Sequence, residues 1–579
     1  ESTGEYCQSL FWVVGISLMV SWVIAVTLTP VKCLDILPAP ERTQLKTDAH
    51  AGSFYRIFRR LLEKAIRFRR LFMGGMAALL VMSFLGFGAV ERLFFPASSM
   101  EKFMIDFHAP QGTRIEAVAT DLELIESHLL QDERVDNVAT FLAAGPPRFY
   151  LPVEPESANS AYAQLIVNVA DMRTIDALIR DLKPWLDQTY PDTLVSLRKF
   201  GVGPGKTWKF QYRISGPAVA DAKTLRTLSQ QVLDVLREEP RVATMQTDWR
   251  QKVPRLITRY NQERARRAGI SRENVADAGK RAFDGLPVGL YREGDELIPV
   301  VLRHAEEDRA NVGALDILQV KPDFSTRSLP MLQVLDGVEM GWEETRIWRR
   351  DRRRTITVQA NPVPGVTLPT LLKDIQARVE GISLPPGYRA EWGGEAEDSA
   401  KSGKALVPGV IPAVAIMAFI LVALFNAFKP PLIIALTIPF ALIGITTGLL
   451  VFNAPFGFMA LLGAMSLSGM MIKNAIVLLD EVNINLSLGK ARYDAVVEAA
   501  LSRLRPVVLA AGTTVLGVIP LLQDVFWVGM AVTIMVGLAF GTILTMLVVP
   551  VLYCFFYKVP SPSADMRVEP LGNHCRPAI

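Results

Sequence analysis

The segment GFMALLGAMSLSGMMIKNAIVLLDEV, residues 457–482, holds one lysine, Lys473, within an apolar stretch. Uncharged residues occupy 456–472 before this lysine and 475–479 after it. A charged amine at bilayer depth costs about 2.5 to 3.5 kcal/mol on insertion scales, so it persists where it has a partner or a function. The segment therefore predicts a transmembrane helix whose lysine belongs to an ion or proton pathway. The alternative is a lysine whose stem reaches up to the headgroups, which the uncharged flanks disfavour.

The composition is that of a membrane protein with a large polar part. Half of the 579 residues are hydrophobic, yet 21% are charged. Spans of about 20 apolar residues, enough to cross a hydrocarbon core about 30 Å thick, predict seven transmembrane helices. These spans lie at residues 10–30, 71–90, 405–425, 430–452, 456–480, 506–523 and 526–557. The polar residues 91–404 are numerous enough to bury several cores of their own.

Basic residues in the short flanks predict the orientation. Residues 31–70 contain ten Lys or Arg and four acids, so the positive-inside rule places them in the cytoplasm and the long polar region outside. The loops at 453–455 and around Asp524 then lie outside, whereas 483–505 and the tail lie inside. Residues 53–70, SFYRIFRRLLEKAIRFRR, favour a helix on the membrane surface, with a solvated charged face as the alternative.

None of the four cysteines, Cys7, Cys33, Cys554 and Cys575, falls in the external region. Neither a disulfide framework nor a cysteine metal site is therefore predicted there. The chain begins ESTGEYCQSL, without an initiator Met, a basic segment or a cleavage site, so the first helix is not predicted to be a signal peptide. We expect the chain to be a fragment of a longer protein.

The external region repeats a strand–helix–strand unit. Copies occupy residues 101–142, 160–200, 208–248 and 354–394. Four such units pair into two split βαβ sandwiches, in which helices cover one side of each sheet. The pattern breaks at about 249–340, which predicts an inserted module. The predicted fold class is an α-helical transmembrane bundle with an α+β external region.

Four segments together resemble the resistance-nodulation-division efflux pumps. They are GMMIKNAIVLLDEVN at 469–483, RLRPVVLAAGTTVLGVIPL at 503–521, VTLTPVKC at 26–33 and FFPASSMEKFMIDFHAPQGT at 94–113. They occur in the family's order, and the resemblance spans essentially the whole chain. It implies the C-terminal portion of a multidrug-type pump, from its sixth transmembrane helix onward.

The resemblance also implies domain boundaries and partners. The implied regions are transmembrane helices at 1–30, 71–96 and 401–558, a cytoplasmic linker with an amphipathic helix at 31–70, porter subdomain 1 at 97–205, porter subdomain 2 at 206–248 and 341–400, a docking module at 249–340, and a cytoplasmic tail at 559–579. The implied assembly is a homotrimer in a Gram-negative inner membrane, working with a periplasmic adaptor and an outer-membrane channel. The proton-motive force drives it, and no cofactor is implied.

In this family, protons pass an Asp pair on the fourth helix that interacts with a Lys on the tenth. Lys473 and Asn474 match that Lys and the Asn that follows it, but this chain has no such Asp pair. A buried ammonium needs a carboxylate partner, and protonation of the partner frees the Lys to move. Asp480 lies on the same helical face but about 10 Å along the helix, which is typical of a helix-end residue rather than the missing partner.

The eleventh family helix supplies an Arg and a Thr to the proton relay. Arg503 matches the Arg, whereas Ala510 stands at the usual Thr position. Thr513 and Thr514 are then the candidate relay hydroxyls. The alternative is that each hydroxyl bonds to the backbone of its own helix.

The resemblance implies a substrate cleft between the porter subdomains. Phe141, Phe149 and Tyr150 flank a Gly-Pro-Pro turn at 145–147, which predicts a loop with aromatic faces suited to apolar or amphiphilic molecules. Ordinary core aromatics are the alternative.

The strand WKFQYRI, residues 208–214, has an apolar face and a polar face. Lys209, Gln211 and Arg213 share the polar face. If it lines the cleft, anionic or polar amphiphiles are favoured. A solvated sheet face is the equal alternative.

Metal export is the alternative within the family. Soft metals need clustered Met or Cys ligands, and neither His108 nor His304 has ligand spacing. Four methionines of the external region are scattered along the sequence: Met100, Met104, Met172 and Met245. The sequence therefore predicts no metal site.

Other function classes are weaker. A membrane receptor or assembly protein that does not transport gains nothing from the costly charge of Lys473. FGVGPGKT at 200–207 departs from a phosphate-binding loop at Phe200 and precedes a strand, which argues against an ATPase. The basic run at 349–354 opens an external strand, so it does not predict nucleic-acid binding.

Two pairs of glycines predict close helix packing. Gly444 with Gly448, and Gly537 with Gly541, each form a small-xxx-small pattern. The packing is either within one subunit or between the two halves of a pump.

Overall fold

The computed structural model describes residues 2–36, 52–153, 155–203, 207–305, 318–323, 325 and 327–560, with side chains from residue 12 onward. The chain divides into two compact units. The first unit comprises residues 1–109, 113–248 and 349–579, and the second comprises 110–112 and 249–348. Residues 37–51 of the predicted linker and 561–579 of the predicted tail lie outside the described residues.

The helices, in chain order, are α1 (Ser2–Ile36), α2 (Ser53–Arg67), α3 (Arg69–Phe87), α4 (Ile115–Leu130), α5 (Ile175–Thr189), α6 (Ala222–Arg237), α7 (Gln262–Arg267), α8 (Arg272–Phe283), α9 (Leu368–Glu380), α10 (Gly394–Phe425), α11 (Lys429–Thr437), α12 (Ala441–Val451), α13 (Phe458–Ser487), α14 (Arg492–Val518) and α15 (Val528–Phe556). The strands are β1 (Lys102–His108), β2 (Val135–Leu142), β3 (Tyr162–Val169), β4 (Leu194–Lys199), β5 (Phe210–Ser215), β6 (Val242–Thr247), β7 (Lys252–Tyr260), β8 (Leu286–Glu293), β9 (Glu296–Leu302), β10 (Gln319–Val320), β11 (Leu329–Pro330), β12 (Leu335–Glu344), β13 (Arg349–Arg350), β14 (Arg353–Pro362) and β15 (Arg389–Gly393).

Seven helical segments of the described chain are long and apolar enough to cross a membrane, at the places that the sequence predicts. Their bounds differ in places from the prediction. The span predicted at 506–523 begins earlier, at Arg492, and the one predicted at 10–30 lies within the longer helix Ser2–Ile36. The span predicted at 430–452 is α11 followed by α12, because a 3-10 turn at Ile438–Phe440 with Pro439 interrupts the α-helical hydrogen bonds. The span predicted at 405–425 begins earlier, at Gly394, so the predicted domain boundary between 400 and 401 falls inside α10.

Helices α12, α13 and α15 pack closely through glycines. A Cβ on Gly444 of α12 would lie 2.9 Å from the Cα of Gly537 on α15, and a Cβ on Gly541 would lie 3.1 Å from the sulfur of Met471 on α13. Both contacts lie within this chain. Of the two alternatives that the sequence left open for these glycine pairs, the structure therefore shows packing within the subunit.

The loops that precede α13 and α15 and follow α3 lie at the same end of the bundle. The Phe456 amide donates to the Glu91 carbonyl at 2.8 Å, and the rings of Phe95 and Phe526 stack with centroids 6.1 Å apart. The alternating orientation predicted from the basic residues requires these three loops to share one side of the membrane.

Helix α2 is amphipathic, with Leu62, Ala65 and Ile66 buried against the bundle core. It packs on α14 and α15. Arg56 and Arg60 are exposed, so the basic side of the helix faces away from the bundle. This arrangement suits the predicted helix on a membrane surface.

The first sheet has the strand order β2-β3-β1-β4, and all neighbours are antiparallel. Helices α4 and α5 cover one face, where Phe103, Ile105 and Phe107 of β1 join their apolar residues in one core. The alternate residues of β1 point to the other face because side chains alternate along a strand. That face carries Met104, Asp106 and His108, all of them buried.

The second sheet joins two distant parts of the sequence. Its order is β6-β14-β5-β15, with β13 pairing at the start of β14. Helix α6 packs on β5, β6, β14 and α9. Strand β15 ends at Gly393 and α10 begins at Gly394 with no intervening loop, so a strand of this sheet continues directly into a membrane helix.

The second unit contains the antiparallel pair β7–β12, the hairpin β8–β9, the short pair β10–β11, and the helices α7 and α8. Its core is formed by Ile270, Val275, Val320, Met331 and Leu335, together with alanines of the two helices. Hence the predicted insertion at 249–340 has a core of its own, and the unit continues to residue 348.

Candidate functional sites

Lys473 lies on α13 and is exposed on the surface of the bundle, whereas the next residue, Asn474, is buried. No ion pair or hydrogen bond joins Lys473 to another residue of the part described here. Asp480 is also exposed and unpaired with Lys473. The charge therefore faces outward from these seven spans, where a further element can approach it.

Arg503 of α14 is held by a carboxylate that sequence reasoning missed. Its guanidinium pairs with Glu481 of α13, and the Ser502 hydroxyl donates to the other Glu481 oxygen at 3.2 Å. Glu481 follows Asp480 directly, and only its helical position, turned towards α14, distinguishes the two acids. The Arg503 Nε is buried and makes no hydrogen bond within the described residues.

Thr513 is exposed and Thr514 is half-buried. Both hydroxyls donate to the Ala510 carbonyl, at 2.9 and 3.0 Å. Each hydroxyl therefore bonds to its own helix, which is the alternative that the sequence left open for them. In this arrangement neither contacts Arg503 or Lys473.

A cavity of about 740 Å³ lies between the two sheets of the first unit. Its apolar lining includes Phe94, Phe95, Ile179, Leu197 and Phe200. Charged side chains also line it: Arg180, Lys183, Arg198, Lys199 and Lys209 with Asp176, Asp187, Glu395 and Asp398. A pocket of this size with mixed lining suits an organic molecule that carries apolar and polar groups.

The predicted aromatic loop lies beside this cavity rather than in its wall. The Tyr150 hydroxyl donates to the Gly201 carbonyl at 2.8 Å, and the rings of Phe149 and Tyr150 both meet Phe200 edge to face. Phe141 packs against the same apolar cluster. The loop therefore supports Phe200, which does line the cavity.

Lys209, Gln211 and Arg213, which the sequence places on one polar face, lie in different environments in the structure. Lys209 lines the cavity. Gln211 and Arg213 are buried instead, which excludes a solvated sheet face at these two positions. Arg213 Nη1 donates to Glu397 of α10 at 2.6 Å, and Glu397 also pairs with Arg350 and Lys401. The partner of Arg213 was invisible in the sequence because it lies 184 residues away.

A buried polar network occupies the face of the first sheet that carries no helices. One oxygen of Asp106 accepts hydrogen bonds from Tyr162 at 2.8 Å and Gln164 at 2.6 Å, and the other accepts from Arg198 Nε at 2.5 Å. His108 lies over the Tyr162 ring, with centroids 4.8 Å apart. Sequence reasoning missed this network, although an acid in the middle of the apolar strand FMIDF was a signal for it.

The network fixes the charge of its members. Burial alone would raise the pKa of Asp106, but the neighbouring Arg198 guanidinium and the hydrogen bonds lower it below the usual aspartate value. Burial and the Asp106 charge both raise the pKa of Tyr162. Asp106 is therefore a carboxylate, Tyr162 is a neutral donor, and Arg198 is held at the edge of the cavity.

The described residues contain no group of three or more His, Cys, Asp or Glu that could hold a metal ion. Met100 and Met104, which are scattered by sequence spacing alone, share one apolar cluster with Phe200. Met172 packs instead against the core under α4 and α5.

Comparisons with known proteins give one consistent result. The model of the AcrB/AcrD/AcrF family matches residues 1–557. The cobalt-zinc-cadmium resistance protein CzcA of Cupriavidus metallidurans is 28% identical over 368 residues, which cover 62% of this chain and 34% of that protein. The multidrug resistance protein MdtC of Pectobacterium atrosepticum is 23% identical over 577 residues, which cover 96% of this chain and 54% of that protein.

Among solved structures, a heavy metal efflux pump in crystal form II superposes with a TM-score of 0.73 and 20% sequence identity. The alignment covers 87% of this chain and 51% of that chain. A likeness at this identity shows the fold alone. The chain spans about half the length of MdtC, the relative that it matches along nearly all of its own length.

Proposed function

Because this chain belongs to the AcrB/AcrD/AcrF family of resistance-nodulation-division transporters, we propose that it forms part of a proton-driven pump that exports drugs or other amphiphilic molecules. The observation that carries this proposal is the cavity between the two sheets. Its phenyl rings supply apolar surface, and its cations and acids supply a few polar contacts. Such a lining binds organic amphiphiles of varied shape.

Proton coupling is proposed from Lys473. A lysine in the middle of a span is costly unless a carboxylate pairs with it. The relatives are about twice as long as this chain, so the partner is proposed to come from the rest of the pump. Helices α1 and α10 are exposed along nearly all of their apolar length, which leaves surface for those additional helices.

The proposed cycle uses one change of charge. When a proton neutralises the partner carboxylate, the Lys473 ammonium loses its counter-charge and moves. Arg503 is proposed to stay paired with Glu481 and to hold α14 against α13. Thr513 and Thr514 take part in the relay only if their bonds to Ala510 open. The proposed setting is a homotrimer in a Gram-negative inner membrane, with the sheets in the periplasm facing an adaptor and an outer-membrane channel.

Export of metal ions is the second candidate, favoured by the 28% identity to CzcA. Against it, Asp106 already binds Arg198, and the described residues hold no metal-binding group. The two candidates separate in cells that express the complete pump. We expect protection against dyes, detergents or antibiotics but not against cobalt, zinc, cadmium, copper or silver. Selective protection against metals would refute the amphiphile proposal.

The coupling proposal is tested by variants of the complete pump. Lys473→Ala should abolish dye efflux at normal expression, since Ala is cheaper to insert than Lys. Lys473→Arg should also fail or nearly so, because a planar guanidinium does not replace a compact ammonium that changes partners. Asp480→Asn, an exposed position on the same helix, is the matched control and should keep efflux. Wild-type efflux by Lys473→Ala would show that the Lys473 charge has no part in coupling.

A further inference from the structure

An aromatic pair at the end of the last membrane helix has a lysine over one ring and two further cations on the elements beside it. The rings of Tyr553 and Tyr557 stack with centroids 4.4 Å apart. Lys429 Nζ lies 5.0 Å from the centroid of the Tyr557 ring. Arg492 begins α14, which packs on α15, and Lys558 follows Tyr557 in the chain.

These cations have no counter-charge in the part of the chain described. Neither Lys429, Arg492 nor Lys558 forms an ion pair with a described carboxylate, and all three are exposed. Elsewhere at this end of the bundle, Lys490 pairs with Glu498.

Hydrogen bonds from Arg69 hold the turn that follows α15. Arg69 Nη1 donates to the carbonyls of Cys554 at 2.9 Å and Val559 at 3.1 Å, and the Val559 amide donates back to Cys554 at 3.0 Å. Arg69 therefore satisfies the free carbonyls at the end of α15. This bonding fixes the backbone of Tyr557 and Lys558 relative to α3.

Exposed apolar side chains continue from the cations along the bundle. Phe428 and Leu432 flank Lys429 at the start of α11, and Phe555 precedes the tyrosine turn; all three are exposed. A cationic group with tyrosines at the end of membrane helices, continuing into an apolar surface, matches the two halves of a phospholipid.

We propose that Lys429, Arg492 and Lys558 bind the phosphate headgroup of an anionic phospholipid, with Tyr557 as the platform between them and Phe428, Leu432 and Phe555 in contact with its acyl chains. This site is independent of transport. It lies on the same end of the bundle as the basic helix α2, which the positive-inside rule assigns to the cytoplasmic leaflet.

The test uses the complete purified pump and counts bound lipid by native mass spectrometry as phosphatidylglycerol or phosphatidylcholine is added. Wild type should bind phosphatidylglycerol more tightly than phosphatidylcholine. The double variant Lys429→Ala/Arg492→Ala should weaken phosphatidylglycerol binding by about tenfold or more and leave phosphatidylcholine unchanged. The matched control, Arg56→Ala/Arg60→Ala, removes two exposed cations from α2 and should leave the preference intact.

The proposal would be overturned by equal binding of the two lipids by wild type, by unchanged phosphatidylglycerol binding by the double variant, or by an equal loss in the control. Displacement of the lipid by equimolar glycerol 3-phosphate would also overturn it, because it would point to a free phosphate ligand. Size-exclusion behaviour in detergent verifies folding of each variant. If the double alanine variant aggregates, Lys429→Gln alone should still reduce the preference for phosphatidylglycerol, and an unchanged preference would equally overturn the proposal. Dye efflux is not the readout, so a failed efflux experiment leaves this result interpretable.

Discussion

Each of the two sheets of the first unit carries an arginine whose carboxylate partner is largely buried, but the two carboxylates lie in different parts of the molecule. In the first sheet, Arg198 of β4 binds Asp106 of the neighbouring strand β1. In the second sheet, Arg213 of β5 binds Glu397, which belongs to the first turn of the membrane helix α10. The Arg198–Asp106 ion pair joins two strands of one sheet, whereas the Arg213–Glu397 ion pair joins a sheet to a membrane helix.

The shared features make this difference informative. Arg134 comes directly before β2 and pairs with Asp132 and with Asp181 on α5. Arg241 opens the corresponding strand β6 of the second sheet and pairs with Glu239 and with Asp374 on α9. In both sheets, therefore, an arginine directly before a strand pairs with an acid two residues earlier and with an acid on a helix. We call this arrangement the arginine clamp.

The link from the second sheet to α10 is short and tight. Strand β15 passes into α10 without a loop, and a Cβ on Gly393 would lie only 2.6 Å from Arg213 Cζ. The Arg213 and Glu397 side chains are 8% and 14% exposed, so water weakens their attraction little. We infer that the second sheet and the start of α10 move together, whereas the first sheet shifts without breaking a buried ion pair to a membrane helix.

The largest effect is expected from Asp106→Ala. This substitution leaves the Arg198 guanidinium, Tyr162 and Gln164 without their acceptor, and removal of one partner of a buried pair costs about 3 to 5 kcal/mol. Hydrogen exchange of backbone amides in β1, β3 and β4 should accelerate, while exchange in α10 stays unchanged. Asp136→Ala, an exposed acid of the same sheet, is the control. Accelerated exchange in α10 would contradict the view that the Asp106 network stabilises only the strands of its own sheet.

A smaller but more widely transmitted effect is expected from Glu397→Gln. Loss of the charge weakens the bonds to Arg213, and a charged hydrogen bond of this kind is worth about 2 kcal/mol. Exchange should accelerate both in β5 and in the first turns of α10. Asp136→Ala, an exposed acid of the first sheet, is the control and should change neither. Acceleration in β5 alone would disprove the link to the membrane helix.

The sequence predicts where the helices and strands lie better than it predicts which side chains pair between them. Apolar length locates the seven spans, because hydrocarbon thickness sets a fixed requirement. Alternation in WKFQYRI separates Arg213 from the apolar face, but a local pattern does not tell whether a polar face meets water or an element 184 residues away. The same limit applies to Glu481, because its pairing with Arg503 depends on how α13 is rotated against α14.

Long-range register accounts for the other network that the sequence does not reveal. Asp106 stands opposite Gln164 on β3 and Ser196 on β4, and only this pairing brings Arg198 within reach as a diagonal neighbour. The interruption at Pro439 has a local cause, since proline lacks a backbone N–H, but the apolar pattern alone predicted one continuous span at 430–452. Lys473 is the reverse case: its position is evident from the sequence, and its partner is absent from the described residues.

A pH series should show that the hydrogen-bond network of Asp106 keeps its stabilising effect in mild acid. The pKa of Asp106 is lowered on folding, so its contribution to stability is fully present above the ordinary aspartate pKa of about 4 and is lost as the pH falls through the lower, folded value. Exchange protection of β1, corrected for intrinsic rates, should stay constant between pH 7 and pH 5 and fall only below about pH 4. Asp106→Asn should abolish this acid transition. A loss of protection already at pH 5 would mean that Asp106 is not held as a carboxylate by Arg198.

The smallest effects are expected from the repeated clamps, where the two sheets should behave alike. Arg134→Ala and Arg241→Ala each remove an arginine from pairs whose partners on α5 and α9, Asp181 and Asp374, are more than half exposed. Solvent screens such pairs, so their contribution to stability is small. Exchange in β2 and in β6 should accelerate slightly and by similar factors, and added salt should remove the difference from wild type. A much larger effect of one variant would show that the two sheets differ in their arginine clamps and not only at Arg198 and Arg213. If Arg241→Ala had the larger effect, its clamp would have to be included in the account of how the second sheet is coupled to α10.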